Sequence, residues 1–171
     1  RDGALYRSSD GSESWVRMNM PEGVNGPTSL IVNPDNPDHI LLSAWGRYGE
    51  NRFSRDIGGG IYLSEDDGSS WSPVLTDDQH IHDLTVDPGS GTLYASGFNS
   101  SAYRSIDQGR NWLRIKSYNF KWGKRVQPDP ADPDKVYIIT FGGGVWHGPA
   151  KGDENALEDI MPTLFCDQTE R

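Results

Sequence analysis

Residues 61–71 read Ile61-Tyr62-Leu63-Ser64-Glu65-Asp66-Asp67-Gly68-Ser69-Ser70-Trp71. The stretch recurs without gaps as Leu5-Tyr6-Arg7-Ser8-Ser9-Asp10-Gly11-Ser12-Glu13-Ser14-Trp15 and Ala102-Tyr103-Arg104-Ser105-Ile106-Asp107-Gln108-Gly109-Arg110-Asn111-Trp112. The shared pattern is Tyr-x-Ser-x-Asp-x-Gly-x-x-Trp, with Ser12 standing where the other copies have Gly68 and Gly109. Between the copies lies a second pattern of two short apolar runs around a Pro/Asp/Gly turn. Ile31-Val32-Asn33-Pro34 before Ile40-Leu41-Leu42 is one case; Leu84-Thr85-Val86-Asp87-Pro88 before Leu93-Tyr94-Ala95 is another. Each reads as a hairpin. Tyr62 follows Tyr6 by 56 residues, Tyr103 follows Tyr62 by 41, and Val145 extends the register after another 42. The surplus of the first interval falls in a polar insertion at 45–56. A period near 41 with four strands (A to D) per unit is that of one propeller blade.

The repeated Asp joins strand C to strand D through a tight turn. Its carboxylate accepts hydrogen bonds from turn amides that no strand pairs, Gly supplies positive φ, and the Ser hydroxyl closes the network. Asp10, Asp66 and Asp107 are therefore fold residues, and Trp15, Trp71 and Trp112 are expected to wedge between sheets. Strand counting gives C and D of a first blade, two full blades, and A, B and C of a last one. That is an all-β, partial β-propeller of about three blades over 1–150, starting in mid-blade, with a short helix or tail over 151–171. Three blades do not close a ring. Either the chain is the C-terminal part of a longer propeller, or copies complete one another's blades.

The Ser-x-Asp-x-Gly-x-x-Trp motif resembles the Asp-box, or bacterial neuraminidase repeat. That repeat occurs in sialidases, xyloglucanase-type glycoside hydrolases, sortilin-type receptors and photosystem assembly factors. The Phe141-Gly142-Gly143-Gly144-Val145-Trp146 ending resembles the secreted xyloglucanase-like group, and the sialidase Phe/Tyr-Arg-Ile-Pro motif is not present. The resemblance implies an extracellular or periplasmic carbohydrate-active propeller, hydrolase ahead of lyase, with a non-enzymatic binding or scaffold propeller as the alternative. It also implies two catalytic aspartates on separate halves of a cleft, of which this chain would hold one.

Composition sets limits. Sixteen basic against 25 acidic residues leave a net charge of −9, the wrong sign for a nucleic-acid binder held by phosphate neutralisation. No apolar run approaches a membrane span. The single Cys166 makes no internal disulfide. Six Trp, seven Tyr and five Phe supply large units of burial despite an apolar share of only 34%.

Propeller loops from D to A and from B to C converge on one face. Here they mix rings with charge, as saccharide recognition requires: flat apolar platforms for C–H faces, planar polar groups for hydroxyls and carboxylates. The expected substrate-binding residues are Trp45, Arg47, Tyr48, Arg52, Arg55, His80, Asn119, Trp122, Lys124 and Arg125. The expected catalytic residues are Asp83, the innermost carboxylate, with Asp56 as a second carboxyl, and His82 or Tyr118 as the base of a lyase. His80 and His82, at i and i+2, share a face. The cations suggest an anionic or uronate-bearing ligand. The partners expected are a polysaccharide or oligosaccharide and the remaining propeller blades. No metal or cofactor is expected, a structural calcium being left open.

Overall fold

The computed structural model describes residues 3–24, 26–47, 56–118 and 122–157. Among them are thirteen strands and no helix. The strands are β1 (Tyr6–Arg7), β2 (Val16–Arg17), β3 (Pro27–Asn33), β4 (Asn36–Ala44), β5 (Gly60–Ser64), β6 (Ser72–Leu75) and β7 (Ile81–Val86). Then follow β8 (Leu93–Gly97), β9 (Ser101–Ser105), β10 (Leu113–Arg114), β11 (Gly123–Pro128), β12 (Lys135–Thr140) and β13 (Val145–Pro149). They form antiparallel sheets β1-β2, β3-β4-β5-β6, β7-β8-β9-β10 and β11-β12-β13. This is the two, four, four and three read from the repeat. The last sheet has a strand in the C position. Among the described residues 151–157 are turns; the rest of the expected C-terminal helix lies outside them.

Neighbouring sheets touch A strand to A strand, β3 against β7 and β7 against β11, and each later A strand also rests on the preceding B strand, β7 on β4 and β11 on β8, which places the A strands innermost. The B strands of the second and third sheets, β4 and β8, are buried on both faces because a sheet lies on each side. Ile40 to Ala44 and Leu93 to Gly97 are buried without alternation. One core cluster, including Leu41, Ile61, Leu75, Ile81 and Tyr103, fills the space between the second and third sheets. A second, including Tyr94, Ile115, Val126, Val136 and Ile138, fills that between the third and fourth. Burying Leu41 or Ile61 fully contributes about 2 kcal/mol each.

The three Ser-x-Asp turns are superimposable in their bonding. In the second, Asp66 Oδ1 accepts the Ser64 hydroxyl at 2.8 Å and the Ser70 N–H at 2.8 Å, while Gly68 N–H donates to Ser64 Oγ at 2.8 Å. Asp10 with Ser8 and Ser14, and Asp107 with Ser105 and Asn111, repeat it. Two successive left-handed residues close each turn: Gly11 and Ser12, Asp67 and Gly68, Gln108 and Gly109. The glycine answers a close approach as well as a dihedral. A Cβ on Gly109 would lie 2.5 Å from Leu41, and one on Gly68 2.7 Å from Met18. Ser12 is exposed, with no such neighbour among the described residues, so serine holds φ 75 there. The expectation for the three indoles holds only in part. Trp112 packs on the first core cluster and Trp71 Nε1 donates to Asn19 O, but Trp15 is 58% exposed. No described sheet stands on its outer side.

A positive-φ residue opens or directly precedes the C strand of each of the last three sheets: Gly60 at 106° in β5, Ser101 at 71° in β9, and Gly144 at 91° just before β13. Ser101 is the exception in chemistry, and its fully buried hydroxyl has no hydrogen-bond partner among the described residues. Left-handed strain and an orphaned hydroxyl together outweigh the extra chain entropy of glycine. Ser101→Gly should therefore raise stability by about 1 kcal/mol, read from urea midpoints at constant slope.

Candidate functional site

All three A strands carry the same irregularity. Pairing skips Thr28 in β3, His82 in β7 and Lys124 in β11, so each is the extra residue of a β-bulge at the second position of its strand. Bulges re-aim side chains and twist the strand locally. They also stitch sheet to sheet. Thr28 Oγ1 donates to Ile81 O at 2.8 Å, and Ser96 Oγ to Lys124 O at 2.8 Å. These strand starts lie at the opposite edge from the Ser-x-Asp turns. Ile81 pairs with Gly97 and Gly97 with Ser101, whereas Asp107 follows the far end of β9.

An aromatic follows every B strand: Trp45, Phe98 and Phe141. Their backbone N–H groups donate to Gly26 O (2.7 Å), His80 O (2.8 Å) and Trp122 O (2.7 Å), each two residues before a bulge. The rings then lean on the next sheet. Trp45 lies 4.6 Å from the ring of His80, 5.0 Å from His82 and 4.9 Å from Phe98; Phe98 lies 6.4 Å from Trp122. Phe141 is 61% exposed, with no further described sheet to lean on. The result is a band of flat rings along the channel face, with Trp122 itself half exposed.

Two carboxylates border the band. Asp83 Oδ2 accepts Arg125 Nε at 2.6 Å, joining the A strands of the third and fourth sheets. Asp56 Oδ2 pairs with His80 Nε2 at 2.8 Å, while Asn99 Nδ2 donates to His80 Nδ1 at 2.8 Å. Both His80 nitrogens are thus occupied, and the Asn99 bond directs the Nε2 proton to Asp56. His82 is different: burial, followed by the charge of Lys124, pushes its imidazole below the ordinary value. Among the described residues its contacts are with the rings of Trp45 and Phe98.

Beneath His80 sits Asp78, fully buried. It accepts the His80 N–H at 2.8 Å, the Asn99 N–H at 3.1 Å and the Ser100 hydroxyl at 2.6 Å. Burial raises its carboxyl above the usual range despite these bonds. It clamps the D–A loop to the B–C loop and is no metal ligand in reach of solvent. Gln79 extends the clamp: its O accepts Gly46 N–H and its Oε1 accepts Gly59 N–H. Only glycine fits there, since a Cβ on Gly59 would lie 1.8 Å from Gln79 O.

The cluster unites Trp45, His80, His82, Asp83, Asp56, Trp122, Lys124 and Arg125, as their loop positions suggest. Arg47 is exposed at the base of the 45–56 insertion, its backbone exchanging both hydrogen bonds with Ile57. Tyr48, Arg52, Arg55 and Asn119 lie outside the described residues. Tyr118 is a correction. The chain turns inward at Ser117, φ 76°, and drops Tyr118 into the second core cluster. Its hydroxyl donates to Pro149 O at 3.1 Å, and burial pushes it up to about 12, so it is no base. Phe98 and Asn99 were not among the expected site residues. The recurring aromatic after each B strand is the sequence signal for the first; nothing local marks the second.

Sheets in radial order, innermost A strands and loops converging on one face define a partial β-propeller. No protein-family model matches the chain. It is 26% identical over 165 residues to the oligoxyloglucan-reducing end-specific xyloglucanase of Emericella nidulans, covering 88% of this chain and 19% of that enzyme. It is 27% identical over 157 residues to a xyloglucanase of Hypocrea jecorina, with 85% and 16% covered. The chain thus spans less than a fifth of the length of these relatives. Among solved structures, an ancestral GH74 enzyme superposes with TM-score 0.62 at 25% identity, over 80% of this chain and 19% of that one. YCF48 bound to D1 peptide superposes with TM-score 0.57 at 16% identity, over 88% and 46%, a likeness of fold alone. Among the described residues no helix is long and apolar enough to cross a membrane.

Proposed function

We propose that this chain is part of a carbohydrate-active propeller, a glycoside hydrolase working on polysaccharide outside the cell or in the periplasm. On this reading, further blades supply the other wall of its cleft. The observation that carries the reading is Asp83, its carboxylate oriented by Arg125 beside the ring band of Trp45, Phe98 and Trp122. Flat rings bind the C–H faces of sugars while Arg47, Lys124 and Arg125 present donors to hydroxyls. The xyloglucanases among its relatives favour the same substrate class. Hydrolysis uses two carboxyls about 5–9.5 Å apart. Asp83 is the first, and the second is Asp56 or, as in the Asp-box xyloglucanase pattern, an aspartate from the facing half. His82 favours a second reading, a uronate lyase, because an imidazole held neutral is ready to abstract a proton and Lys124 would offset the sugar carboxylate.

Product chemistry separates these. On a panel of neutral and acidic polysaccharides, the complete polypeptide should release new reducing ends without unsaturated uronate. Unsaturated ends that vanish in His82→Ala would establish the lyase instead. Retained glycan binding with no product would leave a binding propeller. Trp122→Ala, at an exposed ring, should raise KM about fivefold to tenfold and leave the melting temperature unchanged.

A further inference from the structure

His80 enters β7 from the D–A loop, and Asn99 leaves β8 in the B–C loop of the same sheet. Antiparallel pairing of Ile81 with Gly97 brings the two loops side by side, and the Phe98 N–H donates to His80 O at 2.8 Å. Asp78 locks the pair from below through the His80 N–H, the Asn99 N–H and the Ser100 hydroxyl. Glycine at 97 makes room for it, since a Cβ there would lie 2.5 Å from Asp78 Oδ2 and 2.9 Å from Ser100 Oγ. Ser100 Oγ also bonds the Tyr103 hydroxyl at 2.6 Å, and Tyr103 belongs to the first core cluster. The loop pair is therefore anchored in the hydrophobic core.

The anchor holds an imidazole whose orientation is determined on every side. Asn99 Nδ2 can only donate, so His80 Nδ1 accepts, and Nε2 carries the proton that faces Asp56 Oδ2 at 2.8 Å. The Trp45 ring at 4.6 Å and the Phe98 ring at 6.5 Å stand against it. The His80 and Asp56 side chains are 16% and 18% exposed. At that depth a hydrogen bond is stronger than in water and an unmade one is costly, so the ring does not swing away. Asp83 is held by the full charge of Arg125, whereas Asp56 is held by a neutral donor, which orients a carboxylate without supplying a counter-charge. We infer that His80 and Asn99 are positioning residues for the Asp56 carboxylate: Asn99 selects the imidazole tautomer, His80 aims the carboxylate, and Asp78 fixes the loops that carry both. The inference rests on the hydrolase reading with Asp56 as its second carboxyl, and it assigns that carboxyl its support.

Two measurements on the complete polypeptide test it. In 15N-labelled protein at pH 7, the His80 side chain, identified by the signals lost in His80→Gln, should be the Nε2–H tautomer. In Asn99→Leu it should become a mixture of tautomers. In reducing-end assays, His80→Leu should lower kcat about a hundredfold and Asn99→Leu about tenfold, with KM within about twofold, as expected when a reacting group is misplaced by about 1 Å. His80→Gln, whose amide N–H can replace Nε2–H, should recover most of the loss. A role confined to folding would give neither that recovery at an unchanged melting temperature nor a shift in tautomer. Should His80→Leu fail to fold, Asn99→Leu and the tautomer keep the test valid. A parent imidazole protonated at Nδ1, a tautomer unmoved in Asn99→Leu, or His80→Gln as slow as His80→Leu would each overturn the inference. The two readings fail separately. Product formation that needs Asp83 but is indifferent to His80 and Asn99 sinks this support alone. A parent that makes no product sinks the hydrolase, and the support is then decided by the tautomer.

Discussion

Asp83→Asn in the complete polypeptide should lower the rate of reducing-end release by about three orders of magnitude. That is the usual weight of a positioned proton-transfer carboxyl. The side chain is mostly buried at the innermost strand, and its partner comes from the next sheet, so orientation depends on the sheets staying in register. Stability should barely change. Arg125 is 57% exposed, and an ion pair of that exposure is worth at most about 1 kcal/mol. Arg125→Gln keeps a donor but removes the charge, and should cost about tenfold in kcat with KM less affected. Activity of Asp83→Asn within tenfold of the parent would remove this carboxylate from the chemistry and leave it as a sheet-to-sheet tie.

The radial order of sheets was legible because the Ser-x-Asp turns repeat with a period that only four short strands fill. Each turn needs the same residue types to satisfy the same amides, and those types are visible one by one. The site was legible as a set of loops and not as a geometry. Nothing in Ile81-His82-Asp83 or Gly123-Lys124-Arg125 announces a bulge, since a bulge depends on which partner residue is skipped. The same blindness explains Tyr118. A tyrosine in a polar connection reads as a surface ring until the inward turn at Ser117 is known. Asp78 is the converse: a loop aspartate that reads as free but is consumed by the His80 N–H of its own loop and by two donors, Asn99 and Ser100, from a loop some 21 residues on. The glycine run at 58–60 is required by close backbone approach, whereas Gly142 and Gly144 have open space and serve their positive φ.

Acid should unfold the chain through its turns. The Ser70 hydroxyl, its N–H and the Ser64 hydroxyl hold Asp66 down to about 2. For Asp107, burial pushes upward but is overridden by the Asn111 amide, its N–H and the Ser105 hydroxyl, again leaving about 2. Asp10 is depressed likewise, first by Ser14 and then by Ser8. A carboxyl depressed in the folded state stabilises fully above its unfolded value near 4 and loses that contribution as pH falls through its folded value. Three such groups act together, so melting temperature should hold between pH 5 and 7 and drop steeply from about 4 toward 2. Asp78 works against the trend, because a carboxyl raised by burial is relieved on protonation; Asp78→Asn should steepen the net acid limb. Asp107→Ala should cost about 2 kcal/mol at neutral pH through lost charge-assisted bonds, on the order of 5 °C in Tm. At pH 2 the gap between Asp107→Ala and its parent should close, because the protonated parent no longer gains from the turn. A difference that stays constant from pH 7 to 2 would mean that packing around the side chain, and not its charge, holds the turn.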